Sequence, residues 1–204
     1  MANLSTYLLA IIGIVFVLQL VTGINDGPVT VSFIFDPLLA FSEPWRFISS
    51  IFLHGSLTHI FFNAYALYMF GSVLETQVSK KDYLVIFFGA GLLGGLLYYS
   101  TYLLGIIPPI PALGASGAIY GILGAVAILL PDLRIFMFFF PMRMREAAFV
   151  WIFLELIGTF DITSGIASAA HLGGLIFGLA YAWNLKRRFR SEPQSSWETT
   201  VHYG

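Results

Sequence analysis

The charged residues of this 204-residue chain leave four long stretches that contain no Asp, Glu, Lys or Arg. The first ends before Asp26, the second runs from Phe47 to Leu74, the third covers the 49 residues from Tyr83 to Pro131, and the fourth covers residues 162–185. About 20 apolar residues in a helix cross the ~30 Å hydrocarbon core of a bilayer. Uncharged stretches of this length therefore predict membrane-spanning helices.

The composition agrees with a membrane protein. Hydrophobic residues make up 58% of the chain and charged residues 10%, against roughly half and about a quarter in soluble domains. The mean hydropathy is +0.84. These values exclude a soluble enzyme and a disordered chain. A net charge of −1 argues against a nucleic-acid partner. Because there is no cysteine, disulfides, thiolate nucleophiles and cysteine zinc sites are excluded.

The pattern predicts one all-α membrane domain over residues 1–190, followed by a polar tail at 191–204. The prolines at 106–111 divide the longest uncharged stretch into two helices. The six predicted helices cover approximately 4–23, 59–74, 83–105, 112–131, 146–160 and 165–185. The fifth helix is short and carries Glu155, interpreted as a packing or interfacial group. Residues 135–142 are also apolar, but Pro141 interrupts them. A signal peptide is the alternative for the first helix, which lacks a basic start and a small-residue cleavage site.

The basic residues predict the orientation of these helices. With six spans, both termini and the connections 75–82 and 132–146 lie on one side of the membrane. Nine of the ten basic residues fall in these regions, and only Arg46 lies on the opposite side. Basic residues concentrate on the cytoplasmic side of membrane proteins. We therefore expect a cell-membrane protein with cytoplasmic termini and a long outer connection over residues 24–58.

Four polar side chains fall at one predicted depth, in the outer third of the bilayer. Ser116 lies near the outer end of the fourth helix, and His171 lies at a similar depth in the sixth. His59 and Asn63, four residues apart, share one face of the second helix. A serine needs a base to act as a nucleophile, and histidine is the usual choice. The four residues are therefore candidates for a hydrolytic site that opens to the outside.

The same residues also have structural interpretations. Ser116 can be a helix-packing residue, and His171 can hydrogen-bond to a neighbouring helix. His59 and Asn63 can join two helices. His54, His59 and His171 can be metal ligands, although the chain has no His-Glu-x-x-His helix, and we predict no metal.

An ordered set of motifs runs from about residue 45 to 183. Its parts are Trp45-Arg46, the HxxxxHxxxN pattern from His54 through His59 to Asn63, the GxxxE pattern from Gly71 to Glu75, the GxSG motif Gly114-Ala115-Ser116-Gly117 with Tyr120 after it, and the AHxxGxxxG-like segment from Ala170 to Gly178. This ordered set resembles the rhomboid family of intramembrane serine proteases. The resemblance implies a minimal six-helix rhomboid-like bundle.

The resemblance also implies a role for each site residue. Ser116 is expected to be the nucleophile and His171 the general base, without an acidic third member. The Ser116 N–H, His59 and Asn63 would form the oxyanion hole, and Tyr120 would stack on His171.

The resemblance further implies that several glycines support the site. Gly114 and Gly117 belong to the serine motif, and Gly174 and Gly178, opposite Gly117 and Gly121, would let the fourth and sixth helices approach closely. Trp45 and Arg46 would stabilise the outer loop.

The expected substrates are single-span membrane proteins that are cut near the outer surface of a lipid bilayer. No metal or organic cofactor is expected. The oligomeric state stays open.

Two other classes of function are alternatives to a protease. A non-catalytic rhomboid-like chaperone would lack the serine or the histidine, and this chain has both. A small transporter or channel is disfavoured because the sequence shows no inverted repeat and few charges within the spans.

Overall fold

The computed structural model describes residues 3–137, 139–161 and 167–191. Within these residues the chain forms nine α-helices and one pair of strands. They are α1 (Leu4–Thr22), α2 (Pro28–Phe33), α3 (Arg46–Ser49), α4 (Leu57–Ala66), α5 (Ser72–Glu75), α6 (Lys80–Leu103), α7 (Ser116–Leu129), β1 (Arg134–Met137), β2 (Phe140–Arg143), α8 (Met144–Gly158) and α9 (Ser168–Ser191). A π-helical turn at Leu67–Gly71 joins α4 to α5, so 57–75 is one continuous helix.

Three of these helices are long and apolar enough to cross a membrane: α1, the helix over 57–75, and α6. Helix α7 is apolar but shorter, with 14 residues. The second helix begins at Leu57, two residues before its predicted start at about residue 59. Its start follows from local chemistry, because the Ser56 side chain accepts a hydrogen bond from the His59 N–H and caps the helix. The preceding residues form α3 and a short 3₁₀ turn at Ser50–Phe52.

Helices α6, α7 and α9 form the centre of the bundle, and glycines set their separation. A Cβ atom on Gly174 would lie 1.9 Å from the carbonyl oxygen of Gly117, and one on Gly178 would lie 1.9 Å from that of Gly121. Each contact is too short for any side chain larger than hydrogen. Small residues at such interfaces let two helix backbones approach within direct contact. The glycine pairs therefore hold α9 directly against α7, as the sequence predicts.

The connection between α7 and α8, predicted over residues 132–146, contains a short pair of strands within the otherwise mostly helical described residues. Strands β1 and β2 form an antiparallel hairpin in which Arg134 pairs with Arg143 and Phe136 pairs with Pro141. Pro141 cannot donate a backbone hydrogen bond, but a strand with a free edge tolerates it. The aromatic and branched residues of this segment favour a strand over a helix.

The long connection between α1 and α4 is held by a buried arginine. The Arg46 guanidinium donates from Nη1 to the carbonyl oxygens of Val31 (2.7 Å) and Ile34 (2.8 Å). Its Nε donates to the Glu43 carboxylate at 2.6 Å. Arg46 therefore ties three parts of this connection together, while the neighbouring Trp45 is half exposed.

Two predictions fall partly on residues that the structure does not describe. The polar tail predicted at 191–204 lies outside the described residues, apart from Ser191 at the end of α9. The predicted start of the sixth helix at Gly165 also lies outside them, and the described helix begins at Ser168.

Candidate active site

Ser116 is the first residue of α7, and an unusual backbone conformation precedes it. Gly114 has φ +125°, in the region that favours glycine, and its N–H donates to the Ser50 carbonyl at 2.9 Å. A Cβ atom on Gly114 would lie 2.7 Å from Nε2 of His59. Glycine is therefore required here both for the turn into α7 and for the close approach of His59.

The structure brings Ser116 and His171 into contact although 55 residues separate them. Oγ of Ser116 lies 2.7 Å from Nε2 of His171. His171 lies in the first turn of α9, where its N–H bonds to the Ala167 carbonyl, and its side chain is mostly buried. The close α7–α9 packing at Gly117 and Gly174 makes this distance possible.

The Tyr120 ring lies flat against the His171 ring. The ring centroids are 4.5 Å apart and the planes differ by 6°. Tyr120 follows Ser116 by four residues on α7, so both side chains lie on the face that α9 covers. The aromatic contact limits rotation of the imidazole about its long axis.

Glu155 contacts the other side of the imidazole, which the sequence did not lead us to expect. Its Oε1 lies 3.1 Å from Nδ1 of His171 and also accepts a hydrogen bond from the Tyr120 hydroxyl. The carboxylate is buried, with 8% of the residue exposed. Glu155 thus packs inside the bundle, in line with one of its two interpretations, whereas the expectation that no acidic residue accompanies the pair needs correction. The available signal was an acid among apolar residues in the second half of the helix, since such residues usually have a function.

His59 and Asn63 lie on α4 and line the same cavity as Ser116 and His171. Nδ2 of Asn63 donates to the His59 carbonyl oxygen at 3.0 Å, so one of its two amide hydrogens is used within the helix. The His59 ring faces the serine motif, as the contact with Gly114 indicates.

A cavity of about 730 Å³ joins these residues. Helices α4, α7, α8 and α9 contribute to its walls, and apolar side chains such as Phe62, Ile119 and Trp151 form most of the lining. Its size is within the ~300–1,000 Å³ typical of ligand sites. The cavity is therefore large enough for a ligand with an apolar surface. Among the described residues, no group of three His, Cys, Asp or Glu side chains is arranged to hold a metal ion.

His54 occupies the connection before α4, outside the membrane-spanning helices, and is fully buried. Its ring centroid is 5.0 Å from that of His59. Burial, and then the nearby His59, lower the pKa of His54 from 6.5 to about 4. His54 is therefore expected to be neutral in the folded protein at physiological pH.

This shift predicts that acid destabilises the fold. Between pH 6.5 and about 4, the unfolded chain binds a proton at His54 that the folded chain does not. The free energy of unfolding should therefore fall as the pH is lowered through this interval, by up to about 3 kcal/mol. Thermal unfolding in detergent across this range measures the effect. Over this pH range the melting temperature of His54→Asn should fall clearly less than that of the unmodified protein. An equal fall in both proteins would contradict the assignment.

The apolar helices and the serine–histidine contact between them define the general class. The chain is a polytopic membrane protein with a serine–histidine pair inside its helical bundle. A family model described as the Rhomboid domain matches residues 42–188. This chain belongs to the rhomboid family, whose members are membrane proteins.

Individual relatives agree with the family assignment. The chain is 32% identical to rhomboid protease GluP of Bacillus subtilis over 142 residues, covering 69% of this chain and 26% of GluP. It is 30% identical to mitochondrial Rhomboid protein 1 of Saccharomyces cerevisiae, covering 72% of this chain and 43% of the relative. Against rhomboid protease GlpG of Klebsiella pneumoniae the identity is 30%, covering 83% and 58%. The chain thus spans only part of the length of each of these relatives.

Proposed function

We propose that this protein is an intramembrane serine endopeptidase, with Ser116 as nucleophile and His171 as general base. The observation that carries the proposal is the 2.7 Å contact between Ser116 Oγ and His171 Nε2, placed beside a cavity within an apolar bundle. The relatives GluP and GlpG, both named rhomboid proteases, support the same activity. The substrates are single-span membrane proteins cut near the outer membrane surface, and no cofactor takes part.

The reaction begins with attack of Ser116 Oγ on the scissile carbonyl carbon. As the Oγ–C bond forms, the hydroxyl proton moves to Nε2 of His171 and the carbonyl electron pair moves onto oxygen. The imidazolium then gives this proton to the leaving nitrogen as the C–N bond breaks. A water molecule from the cavity repeats the sequence on the acyl-enzyme and restores the serine.

The negative oxygen of each intermediate needs hydrogen-bond donors, and three groups surround its expected position. The backbone N–H of Ser116 belongs to the first turn of α7, where helix N–H groups have no acceptor within the helix. The side chains of His59 and Asn63 come from α4 on the opposite wall of the cavity. Together they form the oxyanion hole, whose donors stabilise charge that develops in the transition state.

The proposed topology has six membrane-spanning helices within a single domain over residues 1–190. They are α1, the helix over 57–75, α6, α7, α8 and α9. Both termini and the β1–β2 hairpin lie on the cytoplasmic side, where most basic residues occur. The N-terminal end of α7 carries Ser116 and faces the opposite side, so the cavity opens outward. The residues beyond 190 form a cytoplasmic tail.

Covalent labelling tests the proposed nucleophile directly. A fluorophosphonate probe should label the purified protein at Ser116, because only a serine activated by a base reacts at a useful rate. Ser116→Ala should lose the label, whereas Ser100→Ala should keep it. Ser100 is an appropriate control because its hydroxyl bonds only to the Leu96 carbonyl of its own helix. Label on another serine, identified by peptide mass spectrometry, would contradict the proposal.

A further inference from the structure

Glu155 is a buried acid at a position where a membrane helix normally carries an apolar side chain. It lies in the second half of α8, and its neighbours on that helix, Leu154 and Leu156, are exposed on the surface of the bundle. An ionised carboxylate is costly to place inside a bilayer unless it is paired and hydrogen-bonded. Its contacts therefore indicate what it does.

The Glu155 carboxylate contacts His171 and is buried from solvent. Oε1 of Glu155 accepts from the Tyr120 hydroxyl and lies 3.1 Å from Nδ1 of His171. We propose that Glu155 is a positioning residue that fixes the orientation and the tautomer of His171, forming a Ser116–His171–Glu155 triad. This inference rests on the proposed peptidase function and adds a third residue to it.

The hydrogen-bond inventory explains why the tautomer follows from Glu155. A neutral imidazole carries one proton, and an ionised carboxylate can only accept. With the carboxylate beside Nδ1, the proton belongs on Nδ1, where it forms the hydrogen bond to Glu155. Nε2 then has a free lone pair directed at the Ser116 hydroxyl, 2.7 Å away. The opposite tautomer would place a proton on Nε2 and leave the serine without a base.

Tyr120 links the two restraints on the imidazole. Its ring covers one face of His171 at 4.5 Å, and its hydroxyl donates to the same oxygen of Glu155 that faces Nδ1. The imidazole is therefore held at its face by an aromatic ring and at one edge by a carboxylate. Tyr120 and Glu155 thus keep the His171 imidazole within the narrow range of positions and orientations that catalysis needs.

The carboxylate also has an electrostatic role during the reaction. When the Ser116 proton moves to Nε2, His171 becomes a cation inside an apolar bundle. Glu155 supplies the opposite charge on the other side of the ring, and it does so without moving. The proton itself stays on His171 until the leaving nitrogen takes it from Nε2, so Glu155 remains ionised throughout.

A purely structural role is the alternative, in which Glu155 only joins α8 to α9. The two roles predict different catalytic rates for the folded enzyme. A structural crosslink affects the amount of folded protein, whereas a positioning residue affects the rate of the folded enzyme. The test therefore measures folding and turnover separately on the same variants.

The experiment compares Glu155→Gln, Glu155→Leu and Glu155→Asp in the full-length protein, in liposomes with a reporter membrane substrate. Glu155→Gln and Glu155→Leu should lower kcat by roughly 100-fold or more with KM nearly unchanged, because the change affects the base rather than substrate binding. Fluorophosphonate labelling of Ser116 should slow in parallel. Glu155→Asp, which keeps the charge, should recover part of the rate. Glu146→Gln is the matched control on the same helix, since Glu146 contacts the Arg143 N–H and guanidinium at the start of α8 and does not line the cavity.

The outcomes separate this inference from the proposed function. Undiminished cleavage by Ser116→Ala would overturn the peptidase itself. If Ser116→Ala is inactive but folded Glu155→Gln and Glu155→Leu keep kcat within about threefold of the unmodified enzyme, only the positioning role is wrong. A loss of kcat that disappears once rates are normalised to folded protein, measured by thermal unfolding, overturns it as well.

One measurement on the unmodified protein remains decisive if the Glu155 variants do not fold. Nitrogen NMR of histidine-labelled protein distinguishes a protonated ring nitrogen from one with a free lone pair, and His171→Asn assigns the His171 signals. The proposal expects the proton on Nδ1 and a lone pair on Nε2. A proton on Nε2 in the neutral ring would overturn it.

Discussion

Ser116→Ala and His171→Ala are each expected to reduce cleavage of a membrane substrate by at least about 10³-fold. In the proposed mechanism the serine supplies the attacking oxygen and the histidine takes its proton, and their side chains lie 2.7 Å apart. Because they act as a unit, the double variant should be little worse than either single variant. The thermal stability of Ser116→Ala should change only slightly, because the Ser116 side chain borders the cavity and its removal leaves little new empty space in the packed core.

The measurement is the rate of cleavage of a reporter span by purified protein in liposomes, with Ser100→Ala as the control. Ser100 lies on α6 and its hydroxyl bonds within its own helix, so the control should cleave at the unmodified rate. Losses that multiply in the double variant would mean that Ser116 and His171 act independently. Cleavage that persists in Ser116→Ala would place the nucleophile elsewhere.

Gly174→Ala is expected to be strongly damaging although it adds only a single methyl group. The new Cβ would lie 1.9 Å from the Gly117 carbonyl oxygen, and that backbone oxygen cannot move aside as a side chain could. Helix α9 must therefore shift away from α7 at the level of the site. Overpacking of this kind costs about 1–3 kcal/mol. A misplacement of about 1 Å between reacting groups can lower a rate by about 100-fold.

Gly13→Ala provides the matched comparison. Gly13 lies within α1, and a Cβ at this position would have no atom within 4 Å. Alanine is the better helix former, so this variant should melt at the same or a slightly higher temperature and cleave normally. Gly174→Ala should melt lower and lose most of its activity. Equal behaviour of the two variants would show that the α7–α9 contact does not set the distance between Ser116 and His171.

The sequence was most informative where one physical property acts along the chain. Uncharged stretches located the long helices because a bilayer excludes charge, and the prolines at 106–111 separated α6 from α7. Ser116, His171, His59 and Asn63 could be selected because polar groups inside spans are few. The structure brings all four to one cavity. Their catalytic roles remain our proposal.

Helix boundaries and the hairpin were harder to predict. The second helix begins at Leu57 because of the Ser56 cap, a local hydrogen bond that hydropathy does not register. The segment around Pro141 is apolar in the same way as a helix, and only the pairing of β1 with β2 makes it a hairpin. In both places a few hydrogen bonds decided between conformations that hydrophobicity alone leaves equivalent.

The sequence by itself determined that this chain is a helical membrane protein of the rhomboid type, with a serine and a histidine among its intramembrane polar groups. Only the tertiary structure decided that Glu155 belongs with them. Glu155 and His171 lie on different helices, and their contact depends on how α8 crosses α9 and on how closely the glycines let α9 approach α7. Sequence spacing describes positions along one helix, whereas a contact between helices depends on the packing of all the side chains between them.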